Sequence, residues 1–401
     1  MARQGLESQT TMTNDAIYLD YNASTPCDPR VVEAMLPCFS EVYANPSSRN
    51  HRAGQAAAAA LESARSAVAR SLGARSSAEI VFTSGASEAN NLALFGAAES
   101  LSPRRHLVTQ ATEHPSVLQP LRRLEARGWE LRVIGVDRDG RIDLGELEAA
   151  LRDDTALVSL MLANNETGTV QPVREAAALA DRRGALLHCD AAQGPGKLQL
   201  DVGELDVDLL TISGHKVYGP KGIGALYVRR RRPPLKLEPQ IHGGGHERGL
   251  RSGTPNLPGA VGLARALEIG RAELEAERQR LGALRDRFEA LVGGGLEGCS
   301  INGTSAERLA NTSNLSFSGI DGTALLASLP DLAVSTGSAC ASAHPEASAV
   351  LLAMGVPERL AAASIRVSLG RFTTAAELER AAERLVREVV RLRGAGSQRR
   401  P

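Results

Sequence analysis

Short apolar runs alternate with amphipathic stretches between residues 79 and 208. The runs at 79–83, 106–109, 131–134 and 156–161, the one ending at Cys189, and the one at 207–212 are strand-length and bounded by turn-forming residues. Between them, apolar positions recur at helical spacing, which predicts helices starting at Ser87, Pro115, Leu144 and Val173. Such alternation builds βαβ units, hence a mostly parallel sheet with helices on both faces. Residues 224–228 read as a further strand beside 207–212.

After Pro258 the helical period is sustained through Arg265, Leu274 and Leu284 to a glycine run at Gly293, which predicts one long helix. A strand around 315–317, a helix after Asp321 and an amphipathic helix over 374–391 follow, enough for a smaller α/β unit. The expected division is a disordered extension over 1–16, an N-terminal segment of the small domain over 17–40, a large domain over 41–257, an interdomain helix over 258–293, a small domain over 294–391 and a disordered tail over 392–401.

At 401 residues and 43% hydrophobic, the chain can bury one large core or a large and a smaller one. Forty-six basic residues balance forty-six acidic ones, which leaves no net field to steer nucleic acid or an acidic membrane. No basic start precedes an apolar core near the N-terminus, and no stretch is apolar for long enough to span a bilayer, so a cytoplasmic protein is expected. Five cysteines at 27, 38, 189, 299 and 340 form no C-x-x-C pair, against a disulfide framework or a zinc site.

Only four of the basic residues are lysines. Lys197, Lys221 and Lys236 follow Gly or Pro turn residues, whereas Lys216 stands in Ser213-Gly-His-Lys-Val-Tyr-Gly-Pro220, just past a strand. A lysine at a strand end suits Schiff-base chemistry, which a guanidinium cannot perform; a solvated surface lysine is the other reading of the same position. In an open parallel sheet ligands bind beyond the carboxyl ends of the strands. There the chain places Thr83-Ser-Gly-Ala-Ser-Glu-Ala-Asn90, whose N–H groups at Ala86 and Ser87 open a helix and suit a phosphate or an ordinary cap. Thr112-Glu-His-Pro-Ser-Val117, Ala163-Asn-Asn-Glu-Thr-Gly168 and His188-Cys-Asp-Ala-Ala-Gln193 follow other strands. Taken singly, His114 and Asp190 read as helix caps. Together with a lysine twenty-six residues beyond Asp190, they match the demands of pyridoxal 5'-phosphate: a carboxylate for the ring nitrogen and an amine for the aldehyde.

At this point the chain resembles the cysteine desulfurases, within the fold-type I pyridoxal phosphate enzymes of the class V aminotransferase kind. The resemblance runs from Tyr18-Leu-Asp-Tyr-Asn-Ala-Ser-Thr-Pro26 and Asn45-Pro-Ser-Ser48 through His242-Gly-Gly-Gly-His-Glu-Arg-Gly-Leu-Arg-Ser-Gly-Thr254 and Ser335-Thr-Gly-Ser-Ala-Cys-Ala-Ser342 to Ser364-Ile-Arg-Val-Ser-Leu-Gly-Arg371. It implies that Lys216 holds the cofactor, His114 stacks on its ring, Asp190 pairs with the ring nitrogen, and Asn165 and Gln193 hold the ring-hydroxyl side. By the same resemblance Ala86, Ser87, Ser213 and His215 bind the phosphate, joined by Thr254 of a second subunit in a homodimer, and Arg366 clamps the substrate carboxylate.

The implied reaction converts L-cysteine to L-alanine, with Lys216 moving protons, His114 a second candidate for them, and the thiolate of Cys340 taking the sulfur as a persulfide for an acceptor protein. Acceptors that suit such an enzyme are an iron–sulfur scaffold or a sulfur relay protein. A selenocysteine lyase carries the same residues, while Cys340 argues against a transaminase-like relative. Gly194-Pro-Gly-Lys197 lacks the upstream glycine and the Ser or Thr of a P-loop, His242 and His246 are separated by glycines that oppose a metal-binding helix, and the arginines at 229–232 read as a solvated strand exit or a docking patch for the acceptor.

Overall fold

A computed structural model describes residues 16–101, 103–232, 234–336 and 347–397. Its strands are β1 (Ile17–Tyr18), β2 (Ile80–Thr83), β3 (His106–Gln110), β4 (Glu130–Ile134), β5 (Thr155–Met161), β6 (Leu186–Asp190), β7 (Leu209–Ser213), β8 (Gly224–Val228), β9 (Cys299–Ile301), β10 (Thr312–Phe317), β11 (Leu332–Ala333) and β12 (Ser364–Ser368). Seven of them form the main sheet in the order β2-β8-β7-β6-β5-β3-β4. Only β8 runs against its neighbours, so the expected mostly parallel sheet is present, with residues 224–228 beside β7. Strands β2, β3, β5, β6 and β7 are buried along their whole length, as strands covered by helices on both faces must be.

Alternate residues of these strands feed two cores. Val108, Val158, Leu160, Leu187, Leu210 and Ile212 pack with the helices Arg52–Ser71, Val173–Arg182 and Leu257–Ala272. Val81, Leu107, Leu157, Leu186, Leu209 and Leu226 face the helices Ala86–Ser100 and Pro115–Glu125. Gly224 lies where the backbones crowd: a Cβ there would stand 2.6 Å from Ile212 O and 2.7 Å from Gly85 Cα, so no side chain fits beside the turn that opens the helix Ala86–Ser100.

A second, antiparallel sheet has the order β12-β10-β9 and shares its core with the helices Leu274–Gly295 and Ala375–Ser397. The segment 17–40 touches both cores. β1 pairs with β11, while the helix Pro29–Met35 packs on the helix Leu257–Ala272 of the large unit. The helix expected over 258–293 is two helices, Leu257–Ala272 and Leu274–Gly295, broken at Glu273, whose ψ is 0°. Arg30 and Arg371 both reach its carboxylate, at 2.5 and 3.3 Å, and hold the bend between the two cores. The glycine run does not stop the second helix at 293: a Cβ on Gly295 would meet Val386 at 3.1 Å, so the glycine admits the C-terminal helix to close contact.

That C-terminal helix also outlasts its expected end at 391 and runs to Ser397, into the stretch expected to be a disordered tail. Arg393 donates to the carbonyls of Glu297 (2.6 Å), Ser318 (2.9 Å) and Gly298 (3.4 Å), which ties down turns whose composition alone looks frayed. Residues 1–15 of the extension expected over 1–16, the last four residues and Cys340 lie outside the described residues. Among the described residues no helix is long and apolar enough to cross a membrane.

Candidate active site

Because β2, β3, β5, β6 and β7 point the same way, their following loops converge on one edge. Lys216 ends the short 3-10 turn after β7, and its Nζ donates to the carbonyls of Asn22 (2.7 Å) and Ala23 (2.9 Å). Asp190 closes β6 and is buried; its Oδ1 accepts Ala192 N–H at 3.0 Å and its Oδ2 accepts Asn90 Nδ2 at 2.8 Å. Both carboxylate oxygens are thus aimed by partners on two different elements.

His114 occupies the N-cap of the helix Pro115–Glu125, where its Nδ1 accepts the Ser116 N–H at 3.1 Å. It is therefore a cap, as a lone histidine there would be, and it also faces Asp190 and Lys216. Burial first, with the Lys216 charge in support, lowers its pKa against the opposing pull of Asp190. With Nδ1 accepting, the neutral ring carries its proton on Nε2. His215 is pushed down to about 4 by burial and then by the charges of Lys216, Lys221 and Lys197.

Ala86 and Ser87 begin a fifteen-residue helix whose N-cap, Gly85, supplies no side-chain acceptor. The opening turn lies beside the end of β7: a Cβ built on Gly85 would stand 3.8 Å from Ser213 Oγ. Arg366 sits on β12, nearly fully buried, with Nη2 on Asp20 Oδ1 at 2.6 Å and Nη1 on the Asn165 carbonyl at 3.0 Å. Its Nε has no partner among the described residues, an uncommon state for a buried donor and a place for a ligand oxygen.

The chain on either side of the segment 337–346 is held at this same site. Ser335 exchanges two backbone hydrogen bonds with Arg366, and Ser348 Oγ donates to Glu166 Oε2 at 2.5 Å, next to Asn165. Thr254 is exposed within this chain.

Three contributors escaped the sequence reading. Asn22 is fully buried and joins the two sheets: its carbonyl accepts Lys216 and Gln193 Nε2 (2.9 Å), its Oδ1 accepts Asn311 (3.1 Å) and Lys197 (3.0 Å), and its Nδ2 donates to Thr312 Oγ1 (2.8 Å) and Asn165 O (3.2 Å). Lys197 stands in a turn, as expected, yet its amine reaches Gln193 Oε1 as well as Asn22. Glu113 is buried beside His114; burial first and the Asp190 charge second push it up to about 8, so it is largely protonated at neutral pH. Its Oε1 accepts from Gln110 (2.9 Å) and from Met161 N, while Oε2 has no hydrogen-bond partner among the described residues. The signal for Asn22 and Glu113 was their place in quoted motifs, but no local rule gives either a task.

The residues present suit pyridoxal 5'-phosphate. They offer an amine held by carbonyls, a buried and oriented carboxylate, an uncapped helix N-terminus and an unpartnered guanidinium N–H around one seat.

A family model for aminotransferase class-V matches residues 17–381. Cysteine desulfurase IscS of Anaeromyxobacter sp. (strain Fw109-5) is 50% identical over 378 residues, 94% of this chain and 93% of that protein. Among solved structures, a NifS-like protein superposes with a TM-score of 0.87 at 38% identity, covering 94% of this chain and all of the other. SspA in complex with cysteine superposes with a TM-score of 0.79 at 39% identity, covering 89% of this chain and 99% of that one. With this likeness spanning both sheets and every loop of the site, the chain belongs to the aminotransferase class-V family and, within it, to the cysteine desulfurases.

Proposed function

We propose that the protein removes the sulfur atom of L-cysteine, releases L-alanine and carries the sulfur as a persulfide on Cys340 to an acceptor protein, working as a cytoplasmic homodimer. Lys216 anchors pyridoxal 5'-phosphate, Asp190 pairs with its ring nitrogen, His114 lies against the ring, and Asn165 and Gln193 serve its ring-oxygen side. Ala86, Ser87, Ser213 and His215 hold the phosphate, and Thr254 of a second copy completes that cradle. When bound, the cofactor supplies an electron sink for the substrate's Cα.

The chain's own groups supply the rest. Arg366 binds the substrate carboxylate, its charge already oriented by Asp20. The Lys216 amine, held at the seat by the Asn22 and Ala23 carbonyls, is the base for the Cα proton. The Cys340 thiolate attacks the substrate Sγ: an S–S bond forms, the Cβ–S bond breaks, and the electron pair stays on the carbon skeleton. A proton from Lys216 or His114 then completes alanine. In sum, cysteine and the Cys340 thiol give alanine and the Cys340 persulfide, with no outside oxidant or reductant.

The observation that carries this reading is the tie between Arg366 and Ser335. Cys340 lies five residues from Ser335, a covalent reach of at most about 18 Å, so the thiol is leashed to the strand that bears the carboxylate clamp. A second copy is favoured by the exposed Val32, Leu36, Phe39 and Tyr43, which follow one another along adjoining short helices and the turn after them. The acceptor class that suits the family is an iron–sulfur scaffold or a sulfur relay protein. In the test, Cys340→Ser keeps the bound cofactor and its visible band but forms no alanine or sulfide from cysteine, a loss of at least about 100-fold. Undiminished alanine formation by that variant would refute the persulfide step.

A further inference from the structure

Lys197 has the wrong surroundings for a surface lysine. Gly196, at a φ of 70°, turns the chain just before Lys197, whose amine bonds Gln193 Oε1 and Asn22 Oδ1. Lys216 bonds the carbonyl of the same Asn22, and Gln193 Nε2 bonds that carbonyl as well. Two amines therefore grip one buried asparagine, one through its side chain and one through its backbone. No carboxylate pairs with the half-buried Lys197 among the described residues.

The charged and titratable groups facing this pair are Lys216 and His215 on the turn after β7, Arg366 on β12 with Asp20 against it, Asp190 at the end of β6, and His114 on its helix cap. Asp20 is already taken by Arg366, and Asp190 by Asn90 and Ala192. The charges that act most on Lys197 are the positive ones of Lys216 and Arg366. Consistent with this, burial first and then the charges of Lys216 and Arg366 hold the Lys197 amine well below the ordinary lysine value.

We propose that Lys197 is a positioning residue of this active site, locking Asn22 and Gln193 in one orientation so that the Lys216 amine and the ring-oxygen side of the cofactor are set against each other. The proposal rests on the reading of Lys216 and Gln193 as cofactor contacts. Two consequences follow from the geometry. Because Lys197 Nζ donates to Gln193 Oε1, that amide presents Nε2 on its other side, where it donates to the Asn22 carbonyl. Where two amines share Asn22, a proton on either disfavours a proton on the other, the arrangement that makes an amine nucleophilic near neutral pH.

The experiment uses the full-length, cofactor-loaded protein. Lys197→Met keeps the length of the stem and removes the amine; Lys197→Gln restores a hydrogen-bond donor without charge. The readouts are the pH at which the visible band of the lysine-bound cofactor titrates and the cofactor dissociation constant. Lys197→Met should raise the titration by about one pH unit, the effect of deleting a nearby like charge at a partly screened site, and weaken cofactor binding about tenfold. Lys197→Gln should show the titration shift with less loss of affinity. Circular dichroism reports folding, and Lys197→Gln carries the test by itself where Lys197→Met does not fold. Titration and affinity unchanged from the parent in a folded variant would overturn the proposal. Lys216→Ala is run alongside: persistence of the parent band there overturns the reading of Lys216 instead, while its loss together with an unshifted Lys197 variant overturns only the role of Lys197.

Discussion

Glu247 offers the sharpest test of how the loop leading to Thr254 is held. Its carboxylate, 4% exposed, takes Arg65 through both oxygens at 2.5 and 2.8 Å, and Oε2 also accepts the Phe82 N–H at 2.9 Å. Arg65 is itself buried, lies over the Phe82 ring at 4.7 Å and donates to the Ile80 carbonyl. The backbone at Glu247 and Arg248 takes φ values of 49° and 58°, a region that non-glycine residues enter at a cost of about 1–2 kcal/mol each. The ion pair is what keeps the backbone there. Glu247→Ala leaves the buried Arg65 guanidinium with only the exposed Glu62 carboxylate at 3.3 Å and the Ile80 carbonyl, and leaves a strand N–H unpaired, so the expected loss is about 4 kcal/mol, the usual result of removing one member of a buried pair. With an unfolding entropy of about 2.1 cal/mol/K per residue, that loss lowers the midpoint of a chain this long by about 5 °C. The double variant Arg65→Met/Glu247→Leu removes both charges and leaves mainly the Phe82 N–H unpaired, a cost of about 1–2 kcal/mol, so it should recover more than half of the lost midpoint. Scanning calorimetry at fixed protein and cofactor concentration reads both variants. A Glu247→Ala midpoint within about 1 °C of the parent, or a double variant as labile as the single one, would show that the pair does not hold this loop.

Two further expectations concern protons and the second subunit. Glu113 has its pKa raised from 4.5 to about 8, so the folded protein binds more protons than the unfolded chain between those values, and the stability Glu113 contributes is full below pH 4.5 and fades as pH rises toward 8. Glu113→Gln, which mimics the protonated carboxyl, should therefore gain stability relative to the parent between pH 5 and pH 8; guanidinium titrations at the two values check this, and a gain running the other way refutes a protonated Glu113. If Thr254 completes a partner's cradle, co-expressed Lys216→Ala and Thr254→Ala chains should recover, in mixed dimers, about a quarter to half of the parent desulfurase activity per dimer. Activity no higher than in the two parent variants would place Thr254 in its own chain's site or in none.

Much of this molecule could be read along the chain because the reading used local rules. The strand runs were visible because strands buried on both faces must be continuously apolar, and their common direction followed from the helices between them. That direction alone delivered Ala86, His114, Asp190 and Lys216 to one edge, since parallel strands end on the same side. The misjudged elements were those whose partners are remote. The break at Glu273 depends on Arg30 and Arg371, and the last turns of the C-terminal helix depend on carbonyls near residue 298; neither dependence leaves a trace in the local pattern.

The amino-acid sequence by itself determined the parallel sheet, the strand-end chemistry and the family, because periodicity, turn residues and motif spacing are written in neighbouring positions. Tertiary structure alone decided that Lys197 leaves its turn to meet Asn22, 175 residues away, that Glu113 is buried deeply enough to keep its proton, and that Arg366 is tied to the chain leading to Cys340. Burial and pairing are properties of what surrounds a side chain. For these residues the surroundings come from segments that only folding brings together.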